Sequence, residues 1–111
     1  MKFIRHASRP VLRYPGAKWR IADWIVNFFP RHDVYVEPFF GSGAVFFTKN
    51  PSGTETINDI DGNVVNLFRV IRDDAEALCR AVEMTPYARE EYGSCCVDNC
   101  VDNSVDKAIR F

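Results

Sequence analysis

The sequence predicts an α/β fold with an incomplete parallel sheet. Two short β-rich runs, Asp33–Phe39 and Thr54–Asn58, flank a helical run at Ala44–Lys49. A strand–helix–strand order of this kind joins parallel strands through a right-handed crossover. Parallel strands are covered on both faces and belong to sheets of more than two strands. We therefore expect the complete sheet to contain strands beyond these two.

Composition indicates a small folded domain. The chain has 111 residues, of which 47% are hydrophobic, with nine Phe and two Trp, and this is typical of a globular protein rather than a disordered one. No apolar run approaches the roughly 18 residues that a membrane span needs, and the basic start of the chain is not followed by the apolar core of a signal peptide. These features predict a cytoplasmic protein with no membrane partner.

The cysteines do not predict a metal site. Cys79, Cys95, Cys96 and Cys100 have no nearby His, and their spacing differs from the two-residue spacing of common zinc sites. Without a secretory signal, a disulfide framework is not expected either. We predict that these thiols are incidental and that the protein binds no metal.

Charge is distributed unevenly along the chain, although the net charge is only −1. The basic residues that precede the first acidic residue, Asp23, are Lys2, Arg5, Arg9, Arg13, Lys18 and Arg20. This asymmetry predicts a basic N-terminal arm that could contact phosphates. From charge alone, an ordinary solvated tail explains the pattern equally well.

Apolar periodicity predicts the helices. Lys18–Phe29 has helical spacing and is stopped by Pro30. The apolar pattern that begins after Asn63 predicts a long helix, with a break or a new cap at the acidic pair Asp73 and Asp74. Thr85 and Pro86 predict the cap and first position of a further helix that runs toward Tyr92. The chain ends at Phe111 in what we expect to be the middle of an amphipathic helix.

The segment Val36–Gly43 (VEPFFGSG) lies at the carboxyl end of the first predicted strand, where open α/β sheets bind ligands. Its glycines allow a tight turn and a close approach of the backbone to a ligand, although a turn needed only for connectivity is an alternative. Asp59 ends the second strand, where nucleotide-binding folds place an acid against ribose hydroxyls. A helix cap is its alternative role, but Asp61 and Asn63 are better placed for capping.

A third element is Leu12–Lys18 (LRYPGAK), ahead of the first helix. Three features therefore follow one another along the chain. They are an aromatic residue with a small-residue turn and Lys, an E/D-P-F-x-G-x-G loop, and a second strand that carries Asp. In this order they resemble the Dam-like D12 class of adenine-specific DNA methyltransferases. Thr85–Tyr92 (TPYAREEY) resembles a further segment of phage and prophage members. The resemblance covers most of residues 10–92.

This resemblance implies a Rossmann-like, S-adenosylmethionine-dependent methyltransferase fold that transfers methyl groups to adenine N6 in double-stranded DNA. It further implies roles for individual residues. Tyr14 and Lys18 would border the cofactor pocket, and Lys18 would also lie near the target base. The methionine part of the cofactor would be held by Phe39, Gly41, Ser42 and Gly43. Asp59 would bind the ribose, and Ile60 would pack on the adenine. The role of Glu37 stays open.

The family's D/N-P-P-Y/F catalytic segment does not occur in this sequence, because none of its six prolines is adjacent to another. We therefore assign no catalytic residue and expect an inactive N-terminal part of a methyltransferase. Residues 1–93 would form a partial cofactor-binding domain, and residues 94–111 would lead toward a missing target-recognition region. One alternative is a non-catalytic remnant or regulatory module that binds DNA or a partner protein. A dinucleotide-binding oxidoreductase fragment is disfavoured by Tyr14–Lys18 and by Phe46 at the place of a third glycine.

Overall fold

The computed structural model describes residue 7, residues 9–95 and residues 103–111. The chain divides into two compact units, Met1–Ile60 and Asp61–Phe111. Of the residues singled out above, Lys2, Arg5, Cys96 and Cys100 lie outside the described residues. The predicted domain boundary at residues 93 and 94 stays a prediction.

The first unit contains a pair of parallel strands, β1 (Val34–Glu37) and β2 (Thr54–Ile57). In register, Val34 lies opposite Thr54 and Glu37 opposite Ile57, so both strands end at the same edge. The predicted parallel pair is confirmed, with each strand shorter than its β-rich run. Burial alternates along both strands, and Tyr35 and Glu37 belong to the partly buried face of β1.

Helix α1 (Ala22–Val26) is much shorter than the predicted helix over Lys18–Phe29. Ile21 stands at its N-terminus and offers no side-chain cap, and the residues before it form turns. At the other end, the N–H groups of Phe28 and Phe29 bond to carbonyls only three residues back, which tightens the chain before Pro30. The predicted bounds were therefore wrong at both ends.

Helix α2 (Ala44–Thr48) connects the two strands and confirms the predicted helix there. It packs into an aromatic cluster in which Phe46 contacts Phe40 and Phe47 edge-on, with ring centroids 5.4 Å and 5.1 Å apart. Phe40 is buried. Phe46 and Phe47 are half-buried against it, and such contacts stabilise the first unit because aromatic side chains each bury a large apolar area.

Helix α3 (Gly62–Met84) opens the second unit. Asp61 caps it by accepting a hydrogen bond from the N–H of Asn63 at 2.9 Å, as predicted. Asp74 has non-helical dihedral angles (φ −152°, ψ 53°), and its carboxylate accepts a bond from the N–H of Ala77 at 3.4 Å. The predicted break at Asp73 and Asp74 is therefore confirmed, with Asp74 as the residue where the helix is interrupted and capped anew.

Two shorter helices follow, α4 (Arg89–Cys95) and α5 (Ser104–Arg110), and α5 packs on α3. The prediction that Thr85 begins the next helix was wrong. Thr85 ends α3 instead, and its hydroxyl donates to the Ala81 carbonyl at 2.8 Å, one of the carbonyls that a helix C-terminus leaves unsatisfied. Within the described ranges, no helix combines the length and the apolar composition that a membrane crossing requires.

Gly43 is the glycine that the fold tolerates changing least. It has a left-handed conformation (φ +71°), and an added Cβ would lie 2.5 Å from Cζ of Phe40 and 2.8 Å from Cε2 of Phe47. We predict that Gly43→Ala lowers the free energy of unfolding by about 2–4 kcal/mol, through the left-handed strain and the overpacking together. Urea denaturation followed by circular dichroism measures this change.

Gly62→Ala is the matched control. Gly62 begins α3, and an added Cβ would meet no atom within 4 Å. Because Ala is a better helix former than Gly, this variant should gain up to about 1 kcal/mol of stability. Equal effects of the two substitutions would contradict the packing explanation for Gly43.

Candidate functional site

A cavity of about 400 Å³ opens in the first unit at the edge where β1 and β2 both end. Three separate segments form it: the turn before α1, the end of β1 with its loop into α2, and the two residues after Asn58. The residues that line it are Tyr14, Pro15, Gly16, Ala17, Lys18, Glu37, Phe39, Phe40, Gly41, Ser42, Ala44, Val45, Asp59 and Ile60. The cavity thus brings together every predicted site residue except Gly43.

Gly41 joins the first two segments. Its φ of +53° is in the left-handed region, and an added Cβ would lie 3.0 Å from Cδ1 of Tyr14. The aromatic ring of Tyr14 therefore packs directly on the backbone of the glycine loop, at a distance that any larger residue would oppose. This contact brings the Tyr14–Lys18 turn to the mouth of the loop.

Asp59 joins the loop to the end of β2. Its Oδ2 accepts a hydrogen bond from the Gly41 N–H at 2.8 Å, and beside it the Phe40 N–H donates to the Asn58 carbonyl at 2.9 Å. A hydrogen bond to a carboxylate is stronger than one between neutral groups. Asp59 therefore has a structural task in addition to the ribose contact that the sequence suggested. Helix capping, the alternative role considered for it, belongs to Asp61.

Ser42 points away from solvent, with 2% of its surface exposed, and its hydroxyl oxygen accepts a bond from Nε1 of Trp19 at 2.8 Å. Sequence reasoning missed Trp19 as an organising residue, because its helical spacing placed it in the predicted first helix. No local pattern could reveal a hydrogen bond between side chains 23 positions apart. Trp19 and Tyr14 together hold the segment around Lys18 against the glycine loop.

Gly43 and Lys18 differ from the other predicted site residues in their surroundings. Gly43 does not line the cavity; it precedes α2 and leaves room for the rings of Phe40 and Phe47. Lys18 is exposed at the cavity, and its ammonium group donates to the carbonyl of Gly16. Of the two glycines in the loop, Gly43 is thus required by the packing of the neighbouring Phe rings.

Large apolar side chains stand exposed at the cavity. Phe39 is 85% exposed and Ile60 is 95% exposed, although both line the cavity wall. Exposed apolar side chains next to polar, convergent groups are typical of small-molecule sites. Such a surface suits a flat, partly apolar group such as a nucleobase.

Glu37 is the partly buried acid of the cavity. Burial raises the pKa of its carboxyl above the ordinary value, while a hydrogen bond from Tyr35, the charge of Lys49 and a backbone hydrogen bond from Phe46 act in the opposite direction. The Tyr35 hydroxyl donates to Glu37 Oε2 at 2.9 Å, and burial together with this carboxylate raises the pKa of Tyr35 as well. The carboxyl of Glu37 is thus held in place at the cavity wall.

Lys49 is a second residue that the sequence did not single out. Only 2% of its side chain is exposed, and its Nζ lies 2.8 Å from Glu55 Oε2. The same ammonium donates to the Asn50 carbonyl and the Ser52 hydroxyl, each at 2.8 Å. A buried ammonium requires this degree of pairing, since an unpaired one would carry a large desolvation cost.

The raised pKa of Glu37 predicts a pH dependence of stability. Between the ordinary glutamate value of 4.5 and the higher value in the folded chain, the folded state binds more protons than the unfolded state. The stabilising contribution of this proton is therefore fully present below the ordinary value and is lost as pH rises through the folded pKa. We expect Glu37→Gln to remove this part of the pH dependence.

Urea denaturation of wild type and Glu37→Gln at a series of pH values measures the difference in their free energies of unfolding. That difference should shift in favour of the variant as pH rises. Glu83→Gln, which changes an exposed glutamate of α3, controls for the loss of one negative charge. Curves for wild type and Glu37→Gln that stay parallel would contradict the prediction.

Comparison with known proteins gives a family for this site. The profile of the D12 class N6 adenine-specific DNA methyltransferases matches residues 14–95. A DNA adenine methylase of Haemophilus influenzae is 35% identical over 69 residues, which are 61% of this chain and 24% of that protein. The type II methyltransferase M1.LlaDCHI of Lactococcus lactis subsp. cremoris is 31% identical over 83 residues, 74% of this chain and 28% of that protein.

A DNA N-6-adenine-methyltransferase of Escherichia phage P1 is 27% identical over 71 residues, 64% of this chain and 9% of its own length. The chain thus spans only about a quarter of the first two relatives. The matched range of residues 14–95 contains all three segments that form the cavity, and the resemblance inferred from them is confirmed. The chain belongs to the D12 class of N6 adenine-specific DNA methyltransferases.

Proposed function

We propose that the cavity of the first unit binds S-adenosylmethionine, and that the chain is the N-terminal, cofactor-binding part of a DNA adenine-N6 methyltransferase. The observation that carries this proposal is the gathering of three motif segments, distant in sequence, around one cavity. Its volume of about 400 Å³ falls within the range of roughly 300–1,000 Å³ that small-molecule sites occupy. The parallel pair β1 and β2 would be part of a Rossmann-like sheet.

Charge complementarity supports this ligand. S-adenosylmethionine carries a positive sulfonium, a positive ammonium and a negative carboxylate. The charged side chains that line the cavity are the acids Glu37 and Asp59 and the base Lys18. Glu37 is the acid on the β1 side of the cavity, and we propose that it faces the cationic methionine part of the ligand.

We propose for the lining residues the roles that the family resemblance implies. Asp59 would accept hydrogen bonds from the ribose hydroxyls, because a carboxylate has about four acceptor sites and can accept from several donors, of which the Gly41 N–H is one. Ile60 would pack on the adenine ring. Phe39, Gly41 and Ser42 would surround the methionine part, while Gly43 would act through the shape of the turn rather than by contact. Tyr14 and Lys18 would close the pocket from the N-terminal side.

Bound S-adenosylmethionine would supply an already activated methyl group. The protein then has to hold donor and acceptor in line, which lowers the barrier by removing the entropy cost of their encounter. Adenine in double-stranded DNA is reached by flipping the base out of the duplex. We propose that the intact enzyme acts on double-stranded DNA in the cytoplasm.

Asp59 gives the direct test of the cofactor site. We predict that the chain binds S-adenosylmethionine and that Asp59→Ala weakens binding by about 1.5–3 kcal/mol, the size of a hydrogen bond to a charged group. Isothermal titration calorimetry measures both affinities. Asp59→Asn keeps an oxygen acceptor for the Gly41 N–H but loses the charge and the second oxygen, so a loss of affinity that persists in this variant is due to the ligand contact.

Asp61→Ala is the matched control, because Asp61 caps α3 and does not line the cavity. Its affinity for S-adenosylmethionine should equal that of wild type. If Asp59→Ala binds as tightly as wild type, Asp59 does not belong to the site. Binding of NAD in place of S-adenosylmethionine would overturn the proposed ligand.

The second test concerns catalysis. We predict that the 111-residue chain by itself transfers no methyl group to DNA, because its sequence contains no D/N-P-P-Y/F segment to handle the adenine amine. The measurement is tritium transfer from labelled S-adenosylmethionine to double-stranded DNA. A full-length DNA adenine methylase, assayed in parallel, shows that the conditions permit transfer. Tritium in the DNA above the protein-free background would overturn the prediction.

A further inference from the structure

Tyr35 occupies a position behind the wall of the cavity. It lies two residues before Glu37 in β1, and side chains two apart in a strand share a face. Its hydroxyl is 2.9 Å from Glu37 Oε2, and its partner in the register of the sheet is Glu55 on β2. A row of polar side chains therefore extends along the partly buried face of the two strands and ends at the cavity.

The ring of Tyr35 is held by its neighbours. The centroids of the Phe29, His32 and Phe46 rings lie 5.7 Å, 6.0 Å and 6.5 Å from its own. The ammonium group of Lys49 lies 4.4 Å from the ring centroid, within the range of a cation–π interaction. Because Lys49 is itself fixed by the Glu55 carboxylate, the ring is restrained by both packing and charge.

Polar side chains on this face require an explanation. The inner faces of parallel strands are usually aliphatic, and burying an ion pair costs more desolvation than a hydrophobic replacement would. Of the polar side chains on this face, Glu37 is the one that lines the cavity. We propose that Tyr35 is a positioning residue, which orients the Glu37 carboxylate toward the cationic part of S-adenosylmethionine, and that the Lys49–Glu55 pair keeps the Tyr35 ring in place. This inference rests on the proposed function.

The causes of the pKa shift of Glu37 agree with a hydrogen bond from Tyr35 to its carboxylate. Burial raises the pKa of Glu37, and the Tyr35 hydrogen bond is the largest of the contributions that lower it. The other groups that bear on this carboxyl are the ammonium of Lys49 and the backbone N–H of Phe46. Glu55 lies on the adjacent strand, and Asp59 and Lys18 line the same cavity. Removal of the Tyr35 hydroxyl should therefore raise the pKa of Glu37 further.

Tyr35→Phe tests the proposal, because it keeps the ring and removes only the hydroxyl. In the 111-residue chain labelled with carbon-13, NMR follows the titration of the Glu37 carboxyl, and its midpoint should move to higher pH in the variant. At a pH near the Glu37 midpoint that NMR finds, calorimetric affinity for S-adenosylmethionine should fall roughly three- to tenfold, the effect of losing about one hydrogen bond. The loss should shrink as pH rises and the carboxyl ionises again.

A double-mutant cycle separates positioning from a general loss of stability. Glu37→Gln alone should weaken binding, and adding Tyr35→Phe to it should cause little further loss, since the hydroxyl would act through the carboxylate. Tyr87→Phe makes the same chemical change at a fully exposed side chain of the second unit and should leave affinity unchanged. Thermal melts of all variants check that each is folded.

The outcomes are distinguishable. If wild type binds S-adenosylmethionine and Tyr35→Phe binds equally well, or if its loss is undiminished in the Glu37→Gln background, the positioning role is overturned while the proposed function stands. If wild type does not bind S-adenosylmethionine, the proposed function is overturned and the positioning role with it. An unchanged Glu37 titration midpoint in Tyr35→Phe also overturns the inference, whatever the cofactor affinity.

Discussion

The hydrogen bond from the Gly41 N–H to the Asp59 carboxylate ties the end of one parallel strand to the end of the other. The register of the sheet makes this bond possible, because Glu37 and Ile57 end their strands side by side. A loop held in this way has a fixed shape, and Tyr14 can then pack on its backbone. The cavity is the space left between these fixed parts, and its lining follows from them.

The same residues therefore satisfy two constraints. Gly41 needs its missing Cβ for the ring of Tyr14, and Gly43 needs its own for the rings of Phe40 and Phe47. A glycine-rich motif after a strand is usually explained by the approach of a ligand to the backbone. In this chain, contacts within the protein already require both glycines. The motif shapes the site before any ligand enters it.

Local signals in the sequence predicted much of the fold. The two strands, the helix between them, the cap at Asp61 and the interruption at Asp74 depend on neighbouring residues, and all were predictable. Predictions of helix boundaries failed where the same local sequence pattern is compatible with two different structures. Thr85 satisfies a carbonyl of the helix before it instead of capping the next. Trp19 has helical spacing, yet its indole bonds to Ser42 outside any helix.

The residues that line the cavity were likewise predictable from motifs, whereas the residues that hold Glu37 in place behind it were not. Tyr35, Lys49 and Glu55 belong to no motif. The register of the strands places Tyr35 opposite Glu55, and Lys49, which follows α2, pairs with Glu55. Long-range pairs of this kind leave no periodic trace in one sequence. They matter because a site whose side chains are already oriented loses less entropy when it binds a ligand.

The described contacts that fix the cavity join residues within the first unit, between Tyr14 and Ile60. Its shape is thus specified by a segment that spans a small part of the length of the related methyltransferases. Under the proposed function, binding of the methyl donor would depend on local geometry near the strand ends, while binding of the adenine would depend on a D/N-P-P-Y/F segment that this sequence does not contain. Because the two proposed tasks would rely on different residues, donor binding can be tested separately from methyl transfer.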